Sequence, residues 1–443
     1  MNSHETKINR ERGYFTEYPQ VFGTILTFIV GIIISITIFF LVQSGEKSEV
    51  QSEFEFSARN RLASLQTDIV RHQEVVNSIA GLFSSSKNVT RLEFYDFVKD
   101  ILSRYPYIQG LSWNPLIKEY DQKIFTKKAH KDGINNFQII EFNSNGEIIK
   151  APVRDDYIAV YYIEPVLENK KALGFNIASN PERLKAIMQA RDTGVAVITE
   201  RIKLVQEKEE NFGYLLLKAI YQKGSVHDTV AKRREHFAGL AVGVFRFRDW
   251  IPLTMREIEP QGIDVWITDE SALVDKQFLH FHSSRTRNEV FLPTQDDYIK
   301  ASNNLHWKTT IDILGRKWTF LFAPSPRYIN EHKTWQAYIY LMAGLIITIL
   351  LTFYLFSKAR STKNLANTNE ELLHALNEIK TLQGIIPICS YCHNIRDDDG
   401  AWDRLESYLT KNSDASFSHG ICPKCLKKVR LESGLDEKQE HNK

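Results

Sequence analysis

The chain has 443 residues, with 56 Lys and Arg against 54 Asp and Glu, giving a formal charge of +2. That length leaves room for several domains, and the balanced charge argues against nucleic acid as a partner. With 43% hydrophobic and 12% aromatic residues the chain can bury a sizeable core, which excludes wholesale disorder.

Residues 1–20 form a short tail that carries Lys7, Arg10 and Arg12. The run at 21–42, VFGTILTFIVGIIISITIFFLV, is 22 residues without a charge, about the length that crosses a bilayer core. Its apolar stretch is longer than the core of a signal peptide and no small-x-small cleavage site follows, so it is read as an uncleaved anchor. A second uncharged run at 335–356 begins with Trp335, Tyr338 and Tyr340, the composition of a membrane-interface belt. After it come Lys358, Arg360 and Lys363. Flanking basic residues therefore predict both termini in the cytoplasm and residues 43–334 outside.

Between the spans, residues 43–92 are expected to form a stalk helix, because Leu62, Leu65, Ile69, Val76, Ile79 and Phe83 recur at helical spacing. His72 lies on the same stripe, as a packed or hydrogen-bonded helix histidine. The stalk is expected to pair with its counterpart in a homodimer. An Asn-Gly turn inside residues 137–149 predicts a hairpin. Asn180-Pro181-Glu182 predicts a helix start, and Gly194 its end. Apolar runs at 195–199, 214–221, 237–247, 263–268, 278–282 and 307–323 read as strands, the last with a turn at Leu314-Gly315-Arg316. The expected fold class is an α+β membrane protein: two transmembrane helices around a stalk with two tandem PAS-like units, at 93–235 and 236–334.

Four blocks occur in order here: Tyr105 to Pro115, Tyr162-Ile163-Glu164-Pro165, Ala172 to Asn176 with Arg183 and Ala190 to Gly194, and Gly239 to Phe247. Together they resemble the CHASE domain, the extracellular sensing domain of many receptor kinases and cyclases. The resemblance implies tandem PAS-like units, the membrane-distal one holding a small ligand. It places Asn176 where plant cytokinin receptors of the family have a ligand-contacting Asp, and Ile198 at an apolar pocket wall. Asn can donate as well as accept hydrogen bonds, which turns the expectation away from cytokinin-like ligands. Local readings stand beside these roles: Asn176 as a strand-end residue bonding its own backbone, and Ile198 as plain core. Arg191 and Asp192 suit a helix end.

Beyond the second span, residues 357–383 carry Leu365, Leu372 and Ile379 every seven residues, with Ala375 and Leu382 between. This is a coiled-coil signalling helix or a merely amphipathic one. Residues 384–430 hold every cysteine of the chain, Cys389-x2-Cys392 and Cys422-x2-Cys425, with 29 residues between the pairs. A two-residue spacer lets both sulfurs face one ion, so the four thiolates predict one structural Zn2+ in a treble-clef-like module. A redox dithiol, free thiols, and His393 or His419 as a substitute ligand are the alternatives. The module resembles one found at the C-terminus of bacterial PAS and response-regulator proteins, which implies a bacterial inner-membrane protein. Residues 431–443 read as a disordered tail.

No P-loop or glycine-rich phosphate cradle occurs, and 87 residues after Phe356 are fewer than a kinase or cyclase domain needs. The expectation is a non-enzymatic receptor: an unknown small-molecule ligand outside, and a cytoplasmic signalling protein as partner. A dimerising scaffold is the alternative, and an enzyme a further one.

Overall fold

The computed structural model describes residues 19–134, 137–203, 212–286, 299–300, 305–383, 386–397 and 399–433. Lys7, Arg10, Arg12 and the tail beyond 433 lie outside the described residues. The chain divides into two bodies, Met1–Ile36 with Met342–Lys443, and Thr37–Leu341.

The larger body begins on helix α1, Pro19–Ser85. Phe54, Ala58, Leu62, Leu65, Ile69, Val76 and Ile79 are buried along it while Phe56 and Val70 are exposed, the one-sided stripe that the spacing predicts. Helical structure stops at Ser85, short of the expected 92, and a separate helix α2 runs Arg91–Arg104. Thr90 is the reason: its hydroxyl accepts from the Glu93 amide, and the Glu93 carboxylate accepts from the Thr90 amide at 2.7 Å. Such a capping box starts a new helix.

The first unit is a seven-stranded antiparallel sheet. Its spine is β1 (Ile108–Lys118), β9 (Phe237–Arg246) and β8 (Phe212–Tyr221). Strands β4 (Asp156–Ile158) and β5 (Tyr162–Glu164) pair with β1, while β6 (Val197–Ile198) and β7 (Ile202–Lys203) pair with β8. A small hairpin of β2 (Ile140–Phe142) and β3 (Ile148–Lys150) forms at the predicted Asn-Gly turn. Helix α3 spans Gln122–Lys131 and α4 spans Val166–Asn169.

Helix α5, Pro181–Thr193, covers one sheet face. It starts where Asn180 Oδ1 accepts from the Arg183 amide and ends where Gly194 takes a left-handed φ of 71°. Helix α6 (Val230–Glu235) lies beside it. Arg234 and Arg191 clamp Asp192 at 2.5 and 2.8 Å and hold its carboxyl well below the usual range.

Strand alternation divides the core in two. Tyr214, Leu216, Ala241 and Phe245 pack in one cluster with Val76 and Ile79 of α1. Leu215, Leu217, Val242 and Val244 pack in the other with Ile163, Phe175, Ile177 and Ile187. Gly243 lets α1 approach: a Cβ there would fall 2.7 Å from Val76 Cγ2.

Helix α7, Phe247–Arg256, leads to a four-stranded antiparallel sheet ordered β11-β10-β13-β12. Its strands are β10 (Ile263–Asp269), β11 (Phe278–His282), β12 (Trp307–Ile313) and β13 (Arg316–Pro324). The predicted turn between β12 and β13 has Leu314 and Gly315 at φ 49° and 90°, the pair of positive φ values that a tight hairpin demands. The expected boundary at 235 is corrected: β9 pairs with both β1 and β8, so it belongs to the first unit, and the second sheet opens at Ile263. The two sheets meet where the Ile198 amide donates to Leu314 O and Arg201 donates to Phe278 O at 2.6 Å. Helix α8, Pro326–Glu331, follows.

The smaller body takes the apolar start of α1 and most of helix α9, Gln336–Gln383. Both helices are long and apolar enough to cross a membrane. Small residues bring them close: a Cβ at Gly31 would fall 2.5 Å from Thr348 Cγ2, and one at Gly344 would fall 2.6 Å from Ser35 Oγ. The Ser35 and Thr348 hydroxyls donate back to Gly31 O and Gly344 O at 2.8 Å each, which satisfies them without water. Farther on, β14 (Ile395–Arg396) and β15 (Trp402–Asp403) form a hairpin with Gly400 at φ 83°. Helices α10 (Leu405–Asn412) and α11 (Pro423–Glu432) complete this end.

Candidate functional site

The sheet face turned from α1 does not close on its cover. Ser112 and Asn114 of β1, Leu215 of β8 and Val242, Val244 and Arg246 of β9 face Val160, Ile163, Phe175 and Ile177 across a cavity of about 70 Å3. The walls are apolar because these are the inward positions of period-2 strands. Polar groups break the pattern at a few points. Ser112 Oγ donates to Asn114 Oδ1 at 2.7 Å. Asn114 is fully buried, and its Nδ2 has no hydrogen-bond partner among the described residues. At one side Asn169 donates to Gln109 O and Pro165 O, and Gln109 donates to Asn169 Oδ1.

Two arginines complete the wall. The Arg183 guanidinium, from the first turn of α5, stands 5.6 Å from the centre of the Phe175 ring. Burial pushes its pKa down, against the nearby Glu182 charge that pulls it up. Arg246 lies 3.5 Å from Asp249 and is largely buried. Arg183 and Ile202 also border a more open cleft of about 340 Å3, where Lys276 pairs with Glu182 at 3.2 Å. Among the described residues the inner cavity has no Asp or Glu in its wall.

The two ligand residues expected from the sequence do not line this cavity. Asn176 lies between two wall residues, Phe175 and Ile177, and is buried. Its Oδ1 accepts from the amides of Ile158 and Ala178 at 3.1 and 3.3 Å, so it holds the backbone of its own segment. Ile198 is buried in the cluster that includes α1, across the sheet from the cavity. These contacts fit the local readings of both positions, a backbone-bonding strand end and plain core. Arg183, Asn114, Ser112 and Arg246 stand in the wall instead. Ser112 and Asn114 carried a signal, since they are polar at alternate positions of an apolar strand, but the strand itself was not recognised.

His72 holds the opposite face. Its Nδ1 shares a 2.8 Å hydrogen bond with the Tyr214 hydroxyl, and its ring stacks on Phe245 at 4.0 Å with Trp250 edge-on at 5.2 Å. Burial pushes its pKa down to about 3, so it is a neutral packing histidine at pH 7.

The cysteines form two half-sites. In the Cys389–Cys392 turn the His393 amide donates to Cys389 O at 2.9 Å with His393 at φ 58°. The amides of Cys392 and Tyr391, then the Cys392 thiol, lower the Cys389 pKa. Cys422 caps α11, and the Cys425 amide, the Cys425 thiol and the Lys424 amide lower its pKa in the same way. Each pair thus presents two close sulfurs with one favoured as thiolate, the chemistry a soft cation needs. The two pairs are not brought together: among the described residues no group of three or more His, Cys, Asp and Glu is placed to hold a metal ion.

The CHASE domain family matches residues 87–280. Hybrid signal transduction histidine kinase A of Dictyostelium discoideum is 22% identical over 357 residues, 78% of this chain and 17% of that protein. The germination-specific adenylate cyclase of the same organism is 22% identical over 379 residues, 84% of this chain and 43% of that protein. The chain therefore spans less than half the length of these curated relatives. Among solved structures, the periplasmic sensory domain of the Campylobacter jejuni chemoreceptor Tlp1 is 10% identical with a TM-score of 0.36, covering 65% of this chain and 97% of that one. The extracellular domain of the putative histidine kinase mmHK1S-Z3 is 12% identical with a TM-score of 0.34, covering 63% and 96%.

Proposed function

We propose that this chain is a transmembrane receptor whose CHASE sensor domain binds a small extracytoplasmic ligand and passes the event to the cytoplasm without catalysis of its own. The observation that carries the reading is the division of labour within β8 and β9. Leu215, Val242 and Val244 line the cavity, while the alternate residues Tyr214, Gly243 and Phe245 touch the α1 side. A ligand that pushes one set moves the other, because a strand is a single backbone with side chains on both faces. Helix α1 then carries the shift toward one span, and the ligand must favour one of two arrangements of that helix for a signal to result.

Both termini in the cytoplasm, residues 43–334 outside and a homodimer paired along the stalk and through a coiled coil of the 357–383 helix complete the reading. Leu365 and Leu372 are exposed on the single chain and offer the apolar seam. At the cytoplasmic end Cys389, Cys392, Cys422 and Cys425 would hold one Zn2+, which supplies cross-linking of two short segments rather than chemistry, since four sulfurs close its coordination sphere. This module would contact the partner protein. A thermal-shift screen of metabolites on the full chain in detergent tests the receptor reading. A saturable hit is expected, and Val242→Phe, which fills the cavity, should abolish it while the unliganded protein still melts cooperatively. If no compound shifts the protein, a dimerising scaffold replaces the receptor.

A further inference from the structure

Building on the receptor reading, we propose that the ligand of this cavity is a short-chain carboxylate. Asn114 and two arginines point donors at the cavity. Asn114 Nδ2 is fully buried with no partner among the described residues. Arg183 has no carboxylate within ion-pair distance among the described residues, only the Phe175 face. Arg246 adds a second guanidinium, with Asp249 3.5 Å away. Among the described residues no Asp or Glu lines the cavity, and Ser112 already donates to Asn114 Oδ1.

A half-buried cation without a direct ion pair and a buried amide donor left unsatisfied are both costly, and an anion relieves both at once. A neutral ligand would relieve only the amide, and a cation would be repelled. The planar guanidinium fork suits two carboxylate oxygens. Val160, Ile163, Val242 and Val244 favour an apolar tail on the same molecule. The cavity is small, about 70 Å3, which favours a short tail. Arg183 also borders the open cleft, so its long side chain stands where such a molecule would enter.

The test is equilibrium dialysis of radiolabelled propionate against the full chain in nanodiscs, competed by propionamide and by propylamine. Saturable propionate binding is expected, with the amide at least about ten-fold weaker and the amine not competing. Arg183→Gln should weaken propionate by about 10- to 100-fold, the range of a lost charge-assisted hydrogen bond. Arg183→Lys should recover part of the loss, and both variants should melt near the parent temperature. If Arg183→Gln fails to fold, the comparison of propionate with propionamide on the parent chain decides. Absent propionate binding, equal competition by the amide, or an indifferent Arg183→Gln overturns the carboxylate. A neutral or cationic metabolite whose shift is lost in Val242→Phe would leave the receptor reading standing and remove only the anion.

Discussion

Asn176 and His72 show how much a single buried polar group can decide. Asn176 spends its carbonyl oxygen on two backbone amides, so Asn176→Ala leaves both amides short of a partner inside the protein. The variant should lose about 1–3 kcal/mol of stability in chemical denaturation, and an unchanged midpoint would return the residue to a ligand role. His72 is neutral when folded, with a pKa of about 3, while in the unfolded chain it titrates near 6.5. Between those values only the unfolded chain takes up the proton. Stability is therefore complete above about pH 6.5 and falls below it by roughly 1.4 kcal/mol per pH unit for this group. His280 and His282, lowered by burial to about 3 and 4, act in the same direction. His72→Gln can keep the bond to Tyr214 and should flatten the fall of melting temperature between pH 6.5 and 5; an unaltered slope would mean that His72 is solvated. The sequence placed His72 on the buried stripe but could not supply Tyr214, which is 142 positions away and meets it only in the fold.

Among the elements, those with local punctuation were legible and the one with contrary punctuation was not. Asn180-Pro181 and Gly194 bound α5 as expected, and Leu314-Gly315 turns β12 into β13. Strand β1 was missed because Gly110, Asn114 and Pro115 read as loop residues. It holds as a central strand partly because its neighbour in β9 is Gly239, where a Cβ would fall 2.7 Å from Pro115 Cα. Missing that strand also hid Ser112 and Asn114, and with them the cavity. The cysteine pairs were legible as pairs, since a two-residue spacer is local; the approach of one pair to the other is a long-range event. Metal analysis of the full chain purified without chelator should find one zinc per chain. Any single Cys→Ser change among the four should lower it to well below half, because three sulfurs leave an open coordination position. Full zinc occupancy in Cys422→Ser would mean that the two pairs do not share an ion.

On the scale of the whole molecule, the sheet of the first unit acts as a partition. One side holds a small cavity with donor groups, and the other carries α1, held by His72, by Gly243 against Val76 and by Thr254 donating to Asp68. Asp68 also pairs with Arg71 at 2.6 Å, and Arg61 donates to Glu259 O at 2.9 Å, so the helix is tied at several turns. The architecture was foreseen as a stalk with two units because hydrophobic periodicity reports which face is buried. It does not report what the opposite face of the same strand touches, so the link between cavity and stalk emerged only from the fold. The central claim is that occupancy of the cavity is felt on the far side of β8 and β9. Hydrogen–deuterium exchange of the full chain in nanodiscs, with and without a saturating hit from the metabolite screen, measures it directly. The account predicts altered exchange both in β8 and β9 and in the α1 peptide spanning His72 to Ala80. Protection confined to the cavity strands, with α1 exchange unchanged, would contradict it.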